Sequence, residues 1–579
     1  MSEISANALT VLKSRYLLKD DKGKITETPE QLFKRVATYV ASAERNYKSE
    51  HDAVYWKNKF FNLMNELLFL PNTPTLMNAG TINNQLSACF VLPVEDSVKG
   101  IFETLQNTAL IQKSGGGTGF NFSELRPEND PAGFPGNTAA GPVAFMKIFD
   151  AATEEIRQGG KRRGANMGIL DISHPDIEKF ISAKSEEGIL TNFNISVAVS
   201  DKFMKAVRKN EMHRLINPRT GKTVKKVKAR SLWKKIIHYA HRTGDPGMIF
   251  TDTINKSNPT PAIGKIKCTN PCGEVPLLDY EPCNLGSVNI YKMISGNTIN
   301  WKLLEETIHT AIRFLDNVIE VNDYVIPQIE KMAKGNRKIG LGVMGYADAL
   351  IRLGIPYASD NAIKMSEKLM KFIRDKSFEA SEQLAKERGV FPNWKESIYY
   401  PRPVRNATRT SIAPTGTIAI IANTSPSIEP VFALFLRRKN ILDGKILDEI
   451  NPAFLEFMKE KGMATEKNFH AVLKTGTIKS IRGISKEAKE LFHTAHEIHY
   501  LYHLRHQVAF QKYTDNAVSK TINLPERSGR KDVEKAYLFA WKNKAKGITV
   551  FREGSRIKQV LNKSKITEKV QVNGITCFC

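Results

Sequence analysis

Asn270-Pro271-Cys272-Gly273-Glu274, followed by Glu281-Pro282-Cys283-Asn284-Leu285-Gly286-Ser287, decides how this chain reads. Cys272 stands between an amide and a carboxylate, so a sulfur, a hydrogen-bonding anchor and an acid-base group share one short turn. Pro271 fixes φ and Gly273 permits a tight bend, which lets such a segment carry reactive side chains at a loop tip. Taken alone, an Asn-Pro-Cys turn is better read as a buried, inert cysteine. Other segments of the chain change that balance.

The chain has 579 residues, 41% hydrophobic and 25% charged, the profile of a soluble globular protein with a large core. That length fits one large domain with appendages or several ordinary ones. No apolar run approaches the roughly 18 residues needed to cross a bilayer. Met1-Ser2-Glu3-Ile4-Ser5 lacks the basic and apolar regions of a secretory signal, so a cytoplasmic location is expected. The six cysteines Cys89, Cys268, Cys272, Cys283, Cys577 and Cys579 are too sparse for a disulfide scaffold and lack the paired spacing of a zinc finger. A net charge of +25 invites a nucleic-acid reading. The surplus is spread out, however, and its densest part is Arg219 to Lys235, with Lys222, Lys225, Lys226, Lys228 and Arg230. That part reads as a solvated hairpin or insertion, and specific nucleic-acid binding is the minor reading.

Thr28-Pro29 with Gln31 forms a capping box with proline at the first helical position. Leu32, Phe33, Val36, Tyr39, Val40 and Ala43 follow as a helical stripe. Met365 to Arg388, closed by Gly389, reads as a long helix. Ser87 to Leu92, Asn194 to Val199 and Gly416 to Ile421 read as strands, and their alternation with helices implies an α/β architecture with largely parallel pairing. The expected units are a helical region 1–70, an α/β unit 71–557 and a flexible polar tail 558–579.

Cys89, in a strand-like run, reads alone as core; beside Cys283 it could form a redox pair, two thiols supplying two electrons as they become a disulfide. The Gly115-Gly116-Gly117-Thr118-Gly119 cluster admits a phosphate or bends the chain, but matches neither the P-loop nor the dinucleotide fingerprint. Gly159-Gly160-Lys161-Arg162-Arg163-Gly164-Ala165-Asn166 is a basic loop suited to an anionic ligand or a surface turn. Thr410 to Ile418 gathers hydroxyls and backbone N–H groups, a phosphate seat if a helix starts there. His493, His496, His499, His503 and His506 could share a metal on a helix, but a packed helix face is the better reading and no resident metal is expected.

Together these segments resemble the class II, adenosylcobalamin-dependent ribonucleotide reductases. The likeness extends from about Arg15 to Arg556. Its motifs occur in the family's order: Pro71 to Thr75, Asn78 to Thr81, Ser87-Ala88-Cys89, Ser114 to Pro127, Gly159 to Gly168, Asn270 to Glu274, Ala413 to Thr417 and Gln511 to Val518. The resemblance implies a ten-stranded α/β barrel of two half-barrels, with the Cys272 loop as a central finger. It implies that Cys272 becomes a thiyl and removes the ribose 3′ hydrogen, that Glu274 is the general base and that Asn270 orients the ribose hydroxyls. Cys89 and Cys283 would protonate the departing 2′-hydroxyl and supply the electrons, ending as a disulfide.

The substrate diphosphate would sit on Ala413, Pro414, Thr415, Gly416, Thr417 and Ile418, with Thr73 and Ala88 completing the pocket. Asp96, Ser97, Lys113, Lys161 and Arg162 would serve a deoxynucleoside triphosphate effector, with Mg²⁺, across a homodimer interface. Cys577 and Cys579 would relay electrons from a thioredoxin- or glutaredoxin-like protein, although the family pair is spaced C-x-x-C and this one C-x-C. Cys268 has no implied role, and no additional ATP-binding cone is expected at the N-terminus. The class using a separate radical subunit has adjacent tyrosines where this chain reads Gly547-Ile548-Thr549-Val550-Phe551-Arg552, and the glycyl-radical motif is missing, so class II is favoured. The alternatives are a reductase served by a metal-containing subunit and a reductase-like regulator without turnover.

Overall fold

The computed structural model describes residues 4–47, 50–133, 136–156, 164–442, 445–479, 481–555, 561–562, 570–572 and 575–577. Helices Ala6–Arg15, Pro29–Ala41 and Glu50–Asn65 form the N-terminal region. The Thr28 hydroxyl accepts from Gln31 N at 3.2 Å while the Gln31 side chain accepts from Thr28 N at 2.8 Å, the expected capping box. Leu32, Phe33, Val36 and Val40 are buried, so the stripe is the face laid against the core.

The main sheet is built from β1 (Phe69–Pro71), β2 (Cys89–Pro93), β3 (Gly117–Asn121), β4 (Asn166–Asp171), β5 (Phe193–Val199), β6 (Gly247–Phe250), β7 (Pro282–Asn289), β8 (Ile339–Met344), β9 (Thr521–Leu524) and β10 (Gly547–Arg552). From β2 to β6 each strand is parallel to the next, giving one half-barrel. In the other half β7 is parallel to β8, and β9 to β10. Two parallel bridges, Leu341 to Thr410 and Ile412 to Val518, join these pairs. Residues 410–412 therefore act as the middle strand of the second half. The halves meet antiparallel at β7–β2 and β10–β6, which closes the barrel, while β1 is an antiparallel addition to β7.

β7 and β8 are buried along their whole lengths, as strands enclosed on both faces must be. A Cβ at Gly342 would lie 2.3 Å from the Ser411 carbonyl oxygen, so a bare backbone there lets the 410–412 segment reach β8.

Three expectations are revised or sharpened. Gly416–Ile421 is a short helix, not a strand: Thr415 adopts φ +54° before it, and its isoleucines enter the core as an apolar run whose period could not be read over six residues. The basic stretch is an exposed antiparallel hairpin, Met212–Ile216 with Thr223–Lys228, running into helix Ala229–Thr243. Of the five histidines only His503 and His506 lie within helix Tyr500–Gln511, and both are buried; His506 bonds Ser366 Oγ at 2.8 Å and the Tyr357 carbonyl at 2.9 Å. In the described part of the tail, Val570–Val572 pairs antiparallel with Ile575–Cys577.

Candidate active site

The finger is a minimal hairpin in which Cys268–Thr269 pairs antiparallel with Pro276–Leu277, carrying residues 270–275 as its tip. Gly273, at φ +79°, turns the tip, and its N–H donates to the Asn270 carbonyl at 3.1 Å. Asn270 staples the turn: its Oδ1 accepts from Val275 N at 3.0 Å, and its Nδ2 donates to Cys89 Sγ at 3.1 Å. The barrel holds the tip from both halves. Asn194 Nδ2, on β5, donates to the Pro271 carbonyl at 2.8 Å, while Ser411 Oγ and Ala517 N donate to the Glu274 carbonyl at 2.9 and 2.8 Å.

The glycine cluster has a physical role in seating the finger. A Cβ at Gly119 would sit 1.9 Å from the Thr269 carbonyl oxygen, and one at Gly117 would sit 3.0 Å from Pro271 Cγ. Both face inward from β3, two residues apart, so this strand presents bare backbone for the finger to rest on. Gly119→Ala is therefore expected to push the finger off its seat. A displacement near 1 Å suffices to cost about 100-fold in turnover. Steady-state kinetics beside a thermal melt would check this; near-native kcat in a folded variant would contradict it.

Cys272 is exposed and lines a cavity of about 630 Å³, the same cavity that Pro414 and Gly416 border. Cys89 and Cys283 lie behind it, 5% and 1% exposed, as direct Cα partners across β2 and β7. Directly opposed residues on antiparallel strands sit about 4.5–5.5 Å apart at Cα, the range in which a disulfide closes without backbone movement. Glu274 is buried, 2% exposed. Burial pushes both thiols well above their ordinary value, and the Glu274 carboxylate raises them further. The thiol form is thus the resting state, which suits hydrogen-atom and proton donation.

Ala88 and Ala413 pack against the same small apolar cluster as Cys89 and Cys283. Thr415 Oγ1 accepts from Ser427 N at 2.7 Å, holding the loop that opens helix Gly416–Ile421. Thr417 is half-buried in that helix and Ile418 enters the core. Thr73 opens helix Thr73–Asn78, and its hydroxyl meets Tyr16 OH at 2.8 Å. Cys268 is buried at the base of the finger, its Sγ donating to the Thr269 carbonyl at 3.4 Å, as an inert thiol would.

The effector candidates lie elsewhere. Asp96 takes Arg126 Nε at 2.8 Å and Arg126 N at 3.1 Å, Ser97 caps helix Val98–Lys113, and Lys113 ends it. Lys161 and Arg162 lie outside the described residues, as does Cys579; for Cys577 only the backbone is described, in the last strand. Asn194, Ser411, Ala517 and the seat at Gly117 and Gly119 were not anticipated from sequence. Alternating glycines in a strand were the only available sign, and they marked a close backbone approach.

Family models match in two blocks: a ribonucleotide reductase all-alpha domain over residues 2–84 and a ribonucleotide reductase barrel domain over 87–403 and 401–551. The chain belongs to the ribonucleotide reductase family. Among curated relatives it is 48% identical to the vitamin B12-dependent ribonucleoside-diphosphate reductase of Thermoplasma acidophilum, covering 96% of this chain and 80% of that one. It is 46% identical to the protein of the same name from Mycobacterium tuberculosis, covering 97% and 81%. The fold matches the Actinobacillus ureae class Id ribonucleotide reductase alpha subunit with a TM-score of 0.78 at 24% identity, over 96% of this chain and 99% of that one.

Proposed function

We propose that this chain reduces ribonucleoside diphosphates to 2′-deoxyribonucleotides for DNA synthesis, with adenosylcobalamin as the radical source. One observation carries the reading: of Cys89, Cys268, Cys272 and Cys283, Cys272 is the exposed one, at a cavity, with Cys89 and Cys283 paired behind it. A substrate ribose placed at Cys272 would have its 3′ hydrogen taken by that sulfur and later returned. Glu274 would accept the 3′-hydroxyl proton as general base, and Asn270, already bonded to Cys89, would set the ribose hydroxyls against the thiols. Cys89 and Cys283 would give the proton to the departing 2′-hydroxyl and two electrons to the sugar, ending as a disulfide. The 413–418 loop, with Thr73 and Ala88, would take the diphosphate.

Cobalamin fits the residues present. The cavity beside Cys272 has an apolar wall, including Pro426, Pro430, Val431 and Phe432, suited to the face of a macrocycle. When bound, the cofactor supplies the radical that oxidises the Cys272 thiol. The names of the Thermoplasma and Mycobacterium relatives support the same choice. The separate-subunit class is disfavoured because Thr549 and Phe551 of β10 border the cavity and no tyrosine is among the described residues lining it. Deoxynucleotide formation from each ribonucleoside diphosphate and triphosphate, with dithiothreitol and with or without adenosylcobalamin, tests the reading. Product only with cobalamin, and faster from diphosphates, is expected; cobalamin-independent turnover would overturn it.

A homodimer with a deoxynucleoside triphosphate and Mg²⁺ at its interface completes the proposal. Ser97 and Lys113 stand at opposite ends of a 16-residue helix, roughly 24 Å apart at 1.5 Å per residue. One copy cannot bring both to a single triphosphate, whereas two copies with these helices antiparallel about a two-fold axis can. Val98, Phe102 and Leu110 on this helix and Ile148 on its neighbour, Pro142–Glu155, are exposed and supply an apolar contact. Phe102→Glu is expected to shift the dimer toward monomer in light scattering and to blunt the response to effector. An unchanged mass would argue against this face. No described helix is long and apolar enough to cross a membrane. A cytoplasmic setting would supply the thioredoxin- or glutaredoxin-like reductant, reached through Cys577 and Cys579.

A further inference from the structure

The two buried thiols have unlike surroundings. Asn284 pairs with Ile339 in the parallel ladder of β7 and β8, so Cys283 and Lys338 are the residues one step back on each strand. Cys89 is the Cα partner of Cys283 on its other side. Cys89, Cys283 and Lys338 therefore form a row across β2, β7 and the start of β8. A Cβ built on Gly340, on the same face as Lys338, would lie at ordinary contact distance, 3.7 Å, from Cys283 Sγ, so the sulfur borders this face of β8.

Lys338 is itself buried, its side chain 2% exposed. Its ammonium meets Glu281 Oε2 at 2.5 Å, and Glu281, two residues before Cys283, is also held by Asn336 Nδ2 at 2.5 Å and Leu278 N at 2.6 Å. Such a pair is costly to bury, and apolar residues of similar size would often serve stability as well. That cost raises the question of what the charge does at this position.

We propose that Lys338 makes Cys283 the leaving sulfur when the Cys89–Cys283 disulfide is re-reduced, directing the incoming thiolate to Cys89. This rests on the reading of Cys89 and Cys283 as the redox pair. The reductant's thiolate attacks Cys89 Sγ; the Cys89–Cys283 bond breaks, its electron pair leaves on Cys283 Sγ, and a reductant–Cys89 disulfide forms. The second thiolate of the dithiol then attacks the reductant's own bridged sulfur and releases Cys89 as thiolate. Water returns two protons, and the dithiol, oxidised by two electrons, ends as a disulfide. The sulfur that leaves more readily is the one better stabilised as thiolate.

Three further observations agree. Lys338 draws the Cys283 thiol down against the burial, Glu274 and Glu281 that raise it. Cys89 is raised by burial and then by Glu274, Cys283 and Cys272, and is drawn down by the hydrogen bond from the neutral Asn270 amide. Cys89 is also the more exposed of the two and the one that feels Cys272 at the cavity.

The test begins with enzyme taken through one turnover without reductant, then exposed briefly to 2-mercaptoethanol, acid-quenched and peptide-mapped. The expected adduct is on Cys89, about tenfold over Cys283. In Lys338→Met combined with Glu281→Gln, which removes both charges and leaves no buried ion unpaired, the partition should fall toward parity and re-reduction by dithiothreitol should slow about tenfold. Lys338→Arg, which keeps the charge, should retain the Cys89 preference. An adduct mainly on Cys283, or a native partition in the neutral double variant, overturns the role of Lys338 alone. Failure of any Cys89–Cys283 disulfide to form on turnover removes the redox-pair reading and this inference with it.

Discussion

Cys272→Ser is expected to reduce deoxynucleotide formation to background while leaving the fold and nucleotide affinity close to native. The first half follows from chemistry. A thiol S–H bond is comparable in strength to a ribose C–H bond, so hydrogen can be taken and returned; a serine O–H bond is much stronger, and its radical would not be formed or would not give the hydrogen back. The second half follows from position. Cys272 is exposed at the cavity, and the tip around it is held by Asn270, Gly273 and the Glu274 carbonyl. Removing the sulfur leaves those bonds in place, and exchanges at exposed sites usually stay within about 0.5 kcal/mol. Product formation, a binding isotherm for the nucleoside diphosphate and a thermal melt, taken together, check the claim. Turnover persisting in the variant would sink the thiyl mechanism; lost binding would mean that the side chain serves the fold.

Much of this site was legible in the sequence because the chemistry is concentrated in a few residues. Asn-Pro-Cys-Gly-Glu alone favoured a buried, inert cysteine, and only the other motifs in their order turned the reading toward a reactive loop tip, where Cys272 is exposed. The pairing of Cys89 with Cys283 needed the register of β2 against β7, which no local pattern fixes, since the two residues are almost 200 positions apart in the chain. The helix at Gly416 was misread because six residues rich in isoleucine are too few to separate a period of 2 from one of 3.6. The middle strand of the second half-barrel was not identified as such because residues 410–412 pair through isolated bridges, and its place beside β8 depends on Gly340 and Gly342. The contacts of Asn194, Ser411 and Ala517 with the finger belong to the closed barrel and have no local sequence pattern.

Asp316→Ala should be the most damaging single change to stability away from the finger. Asp316 is wholly buried in helix Trp301–Val321, with Arg337 at 2.9 Å, Arg388 at 3.2 Å, Arg405 at 3.4 Å and the Asn406 amide at 3.0 Å. Arg388, at the end of helix Asp360–Arg388, also meets Glu44 of the N-terminal region at 2.6 Å, and Arg405 and Asn406 lead into the 410–412 strand. One carboxylate thus helps tie the N-terminal helices, the long helix and the barrel wall. Removing it leaves buried guanidinium groups short of a counter-charge, and breaking such a pair from one side costs about 3–5 kcal/mol. Burial alone would raise this carboxyl, but Arg337, Arg405 and Arg388 override it and hold the group well below the ordinary carboxylate range. A depressed folded value means the contribution is fully present above the unfolded Asp value, about 3.9, and is lost as pH falls toward the folded one. The stability gap between native protein and variant, read from denaturant midpoints, should be constant from neutral pH to about 5 and narrow below about 4. A gap that stayed the same at low pH would show that the carboxylate's charge is not what binds these elements together.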